Sequence, residues 1–392
     1  MYLNEFFTNS YFTLPVNLLF GKEYLGLSYL AAGSLVFTNR LTSFLFDFPG
    51  GTVADRIGRK QANIIGITIQ LVCFVPFLVT KSFPVLLFSM AISGIGAALS
   101  SNSIDALIYE EAKSIHAEKS YQRIVGNSVG FFYGGRFYAS ILGGITFAID
   151  PRLPYGLTIA ALLFALIACI RINVERRIES AEIVKYGTIV KQALRAYSSN
   201  KLLLKFIILG GLFSMWGNML FVYYQPYFTD LHVTSSELGI LYAVISLGSA
   251  GGSIIMKKLP DRLSAEKIQS IELAIVGITA TLLLVLGLPV VLAVPLVLSV
   301  ISGFQYPNMR IYVNKITADS FRVSVLSVAS SVYDAGLVIG LAISYYMAGH
   351  FSKSSILTII IIGSSITLIA NYILLSEAKA STAKDLKLIS NE

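Results

Sequence analysis

Twelve long apolar stretches follow one another along this chain, separated by short polar segments. About 20 mainly apolar residues in an α-helix cross the hydrocarbon layer of a membrane. Because lipid offers the backbone no hydrogen-bonding partner, a spanning segment satisfies its own amide groups by forming a helix. The sequence therefore predicts an all-α membrane protein with twelve transmembrane helices, at residues 3–21, 27–49, 63–80, 83–109, 124–149, 154–173, 202–227, 237–258, 267–287, 289–313, 323–348 and 354–375.

The composition also indicates a lipid environment. Of the 392 residues, 55% are hydrophobic and 13% are charged, and the mean hydropathy is +0.71. A soluble domain carries roughly 25% charged residues, so this chain has too little polar surface to cover a water-soluble globule. The net charge of +8 is spread between the apolar stretches and forms no contiguous patch, which argues against nucleic acid as a partner.

Lysine and arginine are distributed unevenly between the two sets of connecting segments. One set holds only four of them, at Lys22, Lys81, Arg152 and Lys353, whereas the opposite set and the tail hold most of the others. Positive residues accumulate on the cytoplasmic side of membrane proteins. We therefore expect a multi-pass protein of the cell membrane with both termini in the cytoplasm.

A long polar stretch divides the chain near its middle, with six apolar spans on each side. Such a division is typical of transporters built from two parallel repeats. The predicted domains are an N-terminal six-helix bundle, an amphipathic cytoplasmic linker, a C-terminal six-helix bundle and a cytoplasmic tail, at residues 1–173, 174–201, 202–376 and 377–392.

Paired small residues support this internal repeat. Gly50-Gly51 ends the second predicted span and Gly251-Gly252 ends the eighth, and each pair is followed by basic residues. Ser-Gly pairs recur in the same way in the fourth and tenth spans. Glycine is also common in membrane helices in general, which is the alternative explanation.

Residues that hold metals or cofactors are not grouped along the sequence. Cys73 and Cys169 lie inside apolar runs, and His116, His232 and His350 lie in loops or at helix ends. No phosphate-binding loop of the Gly-x-x-x-x-Gly-Lys-Ser/Thr type occurs, which argues against ATP-driven transport by this chain alone. We therefore expect no metal site, no disulfide and no cofactor.

A specific motif follows the second predicted span, where the chain reads DFPGGTVADRIGRK from Asp47 to Lys60. This segment resembles the signature of the major facilitator superfamily between its second and third helices. The resemblance extends over nearly the whole chain. It implies a fold of two six-helix, pseudo-symmetric bundles.

Three further segments are similar to drug-exporter-like members of that superfamily. They are GIGAALSSNSIDALIYEEA in the fourth span, VYYQPYF in the seventh and RVSVLSVASSV in the eleventh. The fifth span contains six glycines but lacks the Gly-Pro step of the exporter signature, which weakens the prediction of a drug/proton antiporter.

The resemblance assigns a conformational latch to the motif. In similar transporters the motif's acid binds the N-terminus of the eleventh helix, where backbone N–H groups and the helix dipole favour negative charge. The latch predicted here comprises Gly51, Asp55, Arg56, Gly58, Arg59 and Lys60. The alternative is ordinary anchoring by three basic residues. The second half has Met256 where the first half has Asp55, so no matching latch is expected there.

Charged residues inside predicted spans are candidates for proton coupling, since a charge in lipid is costly unless it faces the bundle interior. Arg40 and Asp334 both lie about 16 Å deep at 1.5 Å per residue. The resemblance implies that the second and eleventh helices flank each other, and we therefore expect these residues to form either a pair that breaks during transport or a static pair. Asp105 is expected to relay charge to Arg59 or to carry a proton. Glu5 is expected at the solvated edge.

Polar residues on the cavity-lining helices form the predicted substrate site. Arg136 lies near the middle of the fifth span. We expect it to bind an anionic group of the substrate, to pair with Asp105 or to donate to backbone carbonyls. The predicted cavity residues are Asn102, Arg136, Trp216, Asn218, Gln225, Gln305 and Asn308.

The sequence predicts a secondary active transporter that moves a small organic solute by alternating access, coupled to protons and acting as a monomer. Export of amphipathic compounds is the first interpretation, because the resemblance favours exporter-like members. Proton-coupled uptake of an organic, anionic solute is the alternative. A transporter-like sensor and a polytopic membrane enzyme are the competing classes, but the sequence shows no nucleophile–base set or long signalling segment.

Overall fold

The computed structural model describes residues 1–114, 121–172, 186–223, 233–256, 259, 262–286, 293–317 and 319–389. Every regular element in this part of the chain is helical. The first half contains α1 to α8 and one π-helix, at Tyr2–Thr8, Asn17–Leu19, Phe20–Tyr24 (the π-helix), Tyr29–Ile57, Arg59–Phe74, Pro76–Val79, Phe83–Ser114, Tyr121–Ile149 and Leu153–Ile170. The second half contains α9 to α15, at Tyr186–Ser199, Lys201–Tyr223, Ser235–Met256, Ala265–Leu286, Ala293–Ile316, Asp319–His350 and Lys353–Ile389.

Local sequence signals explain several helix ends. The Ser28 hydroxyl accepts a hydrogen bond from the amide of Ala31 and so caps the start of α3. Pro154 lies in the first turn of α8, where its missing N–H leaves no helical bond unmade. The helix expected within the polar stretch is present as α9.

The first predicted span is not one continuous helix. It is helical at α1, irregular from residue 9 to residue 16, and helical again from α2. The Asn9 side chain donates to the backbone oxygen and to the carboxylate of Glu5, which competes with continued helix formation. Pro15 then removes a backbone donor. Glu5 is 7% exposed, so its predicted position at a solvated edge was wrong.

Within the described part of the chain, eight helical segments are long and apolar enough to cross a membrane. They lie in α4–α5, α6, α8, α10, α11, α12, α14 and α15. The other long helices, α3, α7 and α13, carry Arg40, Arg136 and Gln305 in their interiors. Polar residues within such helices are characteristic of positions that face a bundle interior.

The chain forms two compact units, Met1–Ile183 with His232–Ala250, and Val184–Leu231 with Gly251–Glu392. In the first unit, the rings of Phe20, Phe77 and Tyr155 form a buried aromatic core, with Phe77 and Tyr155 stacked at 4.6 Å. In the second unit, Phe206 stacks on Tyr312 at 3.9 Å. The domain boundaries proposed from the sequence remain a prediction.

Glycine pairs of the two halves make corresponding helix contacts. A Cβ at Gly50 of α3 would lie 3.4 Å from the backbone of Ala98 in α6. A Cβ at Gly252 of α11 would meet the carbonyl of Val300 in α13. Small residues let membrane helices approach each other closely, and in each half one glycine of the pair lies against the backbone of a neighbouring helix.

A buried polar network links four helices of the first unit. Asn63 of α4 donates to the side-chain oxygen of Asn4 at 3.2 Å and to the sulfur of Cys169 at 3.4 Å. The Asn63 oxygen accepts from the Ser100 hydroxyl at 2.6 Å, and Asn4 donates to the carbonyl of Ala165. Buried polar groups are stable in this setting because each finds a partner.

The connection between α3 and α4 is a single residue, Gly58, with φ of 99° and ψ of 140°. L-residues with side chains rarely adopt this conformation. Two residues later, Lys60 donates through Nζ to the carbonyls of Ile170 and Ile172 at 2.8 and 2.7 Å. Lys60 thereby caps the C-terminus of α8, where unpaired carbonyls and the helix dipole favour a cation.

Replacing Gly58 with alanine is expected to lower the free energy of unfolding by about 1–3 kcal/mol, because the backbone then adopts a strained conformation. The measurement is the thermal unfolding temperature of the purified protein in detergent. Gly130→Ala is the matched control, because a Cβ there meets no atom within 4 Å. Equal unfolding temperatures for the two variants would contradict the expectation.

Replacing Lys60 with alanine is expected to lower the free energy of unfolding by about 1–2 kcal/mol, because two carbonyls of α8 lose a charged donor. The same thermal measurement is compared with Arg56→Ala, whose side chain is exposed. Equal unfolding temperatures for Lys60→Ala and Arg56→Ala would contradict the expectation that Lys60 stabilises α8.

Candidate functional site

Two arginines lie within long helices of the first unit, Arg40 on α3 and Arg136 on α7. They are close enough for the positive charge of Arg40 to act on Arg136. Neither guanidinium forms an ion pair with another residue of the part of the chain that the structure describes. The first unit therefore carries two positive charges that its described residues do not neutralise.

Arg136 is only partly satisfied by its surroundings. Its guanidinium carbon lies 4.5 Å from the ring centroid of Phe132, a cation–π contact. Its Nε is buried and has no hydrogen-bond partner in the described residues. A buried donor without a partner costs free energy, so the Arg136 Nε is available to donate to a group that the described residues do not supply.

Neighbouring polar groups extend this site. The Tyr11 phenol donates to the side-chain oxygen of Gln70 on α4, and both Arg40 and Arg136 act electrostatically on Tyr11. Tyr11 lies in the irregular part of the first span, so the break in the helix places a polar ring beside the arginines. We name Arg40, Arg136, Tyr11 and Gln70 the arginine site.

The second unit contains a separate polar contact within its own helices. The Tyr306 hydroxyl of α13 donates to the carboxylate of Asp334 on α14. Gln305 is buried next to this tyrosine in sequence, and its Nε2 has no hydrogen-bond partner among the described residues. The pairing of Asp334 with Arg40 stays a prediction, because the two residues belong to separate units.

Three predicted cavity residues are engaged in helix packing. Trp216 donates through its indole N–H to Thr367 at 3.0 Å, and its ring covers Gly363 of α15. Asn218 donates to the carbonyl of Ser214 on its own helix. Asn308 donates to the carbonyl of Ala265 at 3.0 Å. These bonds give the side chains structural roles, and their contact with substrate remains a prediction.

Several predicted residues lie partly or wholly outside the described structure. Gln225 is not described at all. Asn102 and Asp105 lie on α6 and Asp55 lies on α3, but their side chains are outside the described residues. The arrangement of the acid of the latch and the relay from Asp105 to Arg59 therefore remain predictions.

The remaining latch residues occupy the end of α3 and the start of α4. A Cβ at Gly51 meets no atom within 4 Å, so the close approach expected there is found at Gly50 instead. Arg56 is exposed and Arg59 is half-buried. Lys60 caps α8, a role that the motif alone did not indicate.

One buried acid, Glu272 on α12, was not among the site residues predicted from the sequence. Its side chain is 2% exposed, and Oε1 has no hydrogen-bond partner among the described residues. The signal in the sequence was a single carboxylate in an apolar run, SIELAIVG, which begins at Ser270. An acid within a membrane span is by default a functional candidate.

Known sequences and structures are similar to this chain. A profile of the Major Facilitator Superfamily matches residues 6–229 and 207–390. The uncharacterized MFS-type transporter YxaM of Bacillus subtilis (strain 168) is 22% identical over 360 residues, which cover 87% of this chain and 86% of YxaM. The quinolone resistance protein NorA of Staphylococcus aureus (strain MRSA252) is 30% identical over 159 residues, which cover 40% of this chain and 39% of NorA.

A crystal structure of a mutant of the nucleoside transporter NupG has the same fold, with a TM-score of 0.75 at 13% identity over 95% of this chain and 98% of NupG. The predicted all-α membrane fold and the resemblance to drug-exporter-like members are both confirmed. The profile matches in both halves of the sequence, and this chain therefore belongs to the Major Facilitator Superfamily of membrane transporters.

Proposed function

We propose that this protein is a secondary active transporter that exports small amphipathic organic compounds across the cell membrane in exchange for protons. We propose export as the direction of transport because of the 30% identity over 159 residues to a quinolone resistance protein. Chemically, the substrate class is an apolar ring system with a polar or charged group. We propose that both termini lie in the cytoplasm, because lysine and arginine accumulate in the segments on that side.

Alternating access is the mechanism that we propose for this transport. The chain divides into two units, each with its own buried core. In the proposed cycle, the segment from Gly51 to Lys60 latches one conformation, and Asp55 acts as its acid. Asp334 and Asp105 are the proposed proton carriers, because carboxyls inside membrane proteins serve as proton relays. One chain is proposed to complete the cycle as a monomer.

A second candidate function is proton-coupled uptake of an organic anion. The observation that favours it is the arginine site, with two positive charges and an unpartnered buried Nε on Arg136. Guanidinium groups bind carboxylates and phosphates through short, charge-assisted hydrogen bonds. The two candidates differ in direction, and both allow an acidic group on the substrate.

Expression of the protein in cells that lack their own efflux pumps is expected to lower the accumulation of a fluorescent quinolone severalfold. Asp334→Asn is expected to abolish this effect, because the variant side chain carries no exchangeable acidic proton. The matched control is Glu377→Gln, which removes an exposed carboxylate that pairs with Lys205. Accumulation that is unchanged by the wild-type protein would exclude quinolone export.

The arginine site is expected to prefer acids over amides of the same shape. Purified protein is titrated with benzoate and benzamide, and with a quinolone acid and its carboxamide, while the unfolding temperature is recorded. Loss of the charged donor in Arg136→Gln is expected to weaken binding of the acids by about tenfold, with smaller losses in Arg136→Lys. Arg152→Gln, which alters an exposed arginine bonded to Asp150, serves as control. Equal binding of acids and amides by the wild type would rule out anion recognition at this site.

A further inference from the structure

A single carboxyl is enclosed within the second unit. Glu272 lies on α12, seven residues after its start at Ala265, which is about 10 Å along the helix axis. It is 2% exposed, and it forms no hydrogen bond or ion pair with any other described residue. Solvent therefore has little access to the side chain, and the described residues supply no cation that pairs with it.

The groups around Glu272 do not supply positive charge. The helix α12 packs against α10, α13 and α15. The lysines and arginines of these helices whose side chains the structure describes are exposed or half-buried near the helix ends, at Lys201, Lys205, Arg310, Lys315 and Lys353. On α12 itself, Lys267 is exposed and Glu266 is half-buried. Of the two acids of α15, Glu377 is exposed and pairs with Lys205, and the side chain of Asp385 lies outside the described residues.

Tyr312 and Tyr333 are buried tyrosines of the second unit. Tyr333 of α14 lies close enough for the charge of Glu272 to act on it, and its ring covers Gly210 of α10. Tyr312 of α13 stacks on Phe206, and Glu266 acts on it electrostatically. Tyrosine is neutral at physiological pH, so neither ring stabilises a carboxylate as a cation does.

An ionised carboxylate without a partner is costly inside a protein, and in practice such a group takes up a proton and becomes neutral. We propose that Glu272 is a proton-binding site of this transporter, protonated in the present conformation and deprotonated when α12 becomes accessible to water. The step is the loss of H⁺ from the carboxylic acid to water, which leaves the carboxylate. Because binding and conformation are linked reciprocally, the proton stabilises the conformation in which Glu272 is enclosed.

This assignment deepens the proposed proton coupling and depends on it for its role in transport. The protonation itself does not depend on any substrate. A first measurement therefore uses the purified full chain without substrate, with the unfolding temperature and hydrogen exchange of residues 265–286 recorded at several pH values. Exchange rates are corrected for their intrinsic pH dependence.

In the wild type, the unfolding temperature is expected to fall and exchange in α12 to rise as the pH is raised, since deprotonation then leaves an unpartnered charge. Glu272→Gln retains the shape but cannot ionise, and its values are expected to depend on pH less steeply than those of the wild type. Glu272→Asp keeps a carboxyl, and its unfolding temperature and exchange are expected to depend on pH as in the wild type. Glu377→Gln is also expected to behave as the wild type. A wild-type pH dependence in Glu272→Gln would overturn the proposal.

A second measurement tests the link to transport in proteoliposomes loaded with a fluorescent quinolone. Glu272→Gln is expected to lose transport driven by a pH gradient by roughly tenfold, while exchange of labelled for unlabelled quinolone without a gradient is retained. Gradient-driven transport at the wild-type rate in this variant would overturn the coupling role. Absence of quinolone transport by the wild type would refute the proposed substrate alone, and the first measurement would still decide the protonation of Glu272.

Discussion

The cost of leaving a polar group without a partner in a water-free interior determines much of this structure. The irregular part of the first span is stable because backbone amides that lack a helical hydrogen bond find other partners. The Phe12 amide, for example, donates to the Thr158 hydroxyl at 3.1 Å. Lys60 satisfies two carbonyls of α8 in the same way. A continuous helix needs no such help. Interruption of the first span is therefore possible only where neighbouring helices supply donors and acceptors.

Segment length and charge distribution were sufficient to predict most of the fold from the sequence, because spanning lipid imposes a fixed length on each helix. The motif around Gly58 was equally informative, since a positive φ between two helices requires glycine. The break after α1 was missed, because apolarity alone does not show where Asn9 and Pro15 stop a helix. The burial of Glu5 was missed because apolarity along the chain does not show which helices pack around a side chain.

The site was less predictable from the sequence. A polar side chain on a helix is a candidate for substrate binding only if it does not already form a hydrogen bond with a neighbouring helix. Trp216 and Asn308 satisfy this condition poorly, since each bonds to a residue far away in sequence. Arg136 satisfies it well, because its Nε has no partner among the described residues. That difference depends on which helix faces which, and such information is absent from local sequence patterns.

The two units differ in the kind of charge that they leave uncompensated. The first holds a pair of arginines, which cannot lose their charge in a protein and therefore attract an anionic group. The second holds a buried carboxyl at Glu272, which becomes neutral by taking up a proton. An arginine binds a group of fixed charge, whereas a carboxyl responds to pH. The proposed anion binding at Arg136 and the proposed proton binding at Glu272 therefore depend on different chemistry.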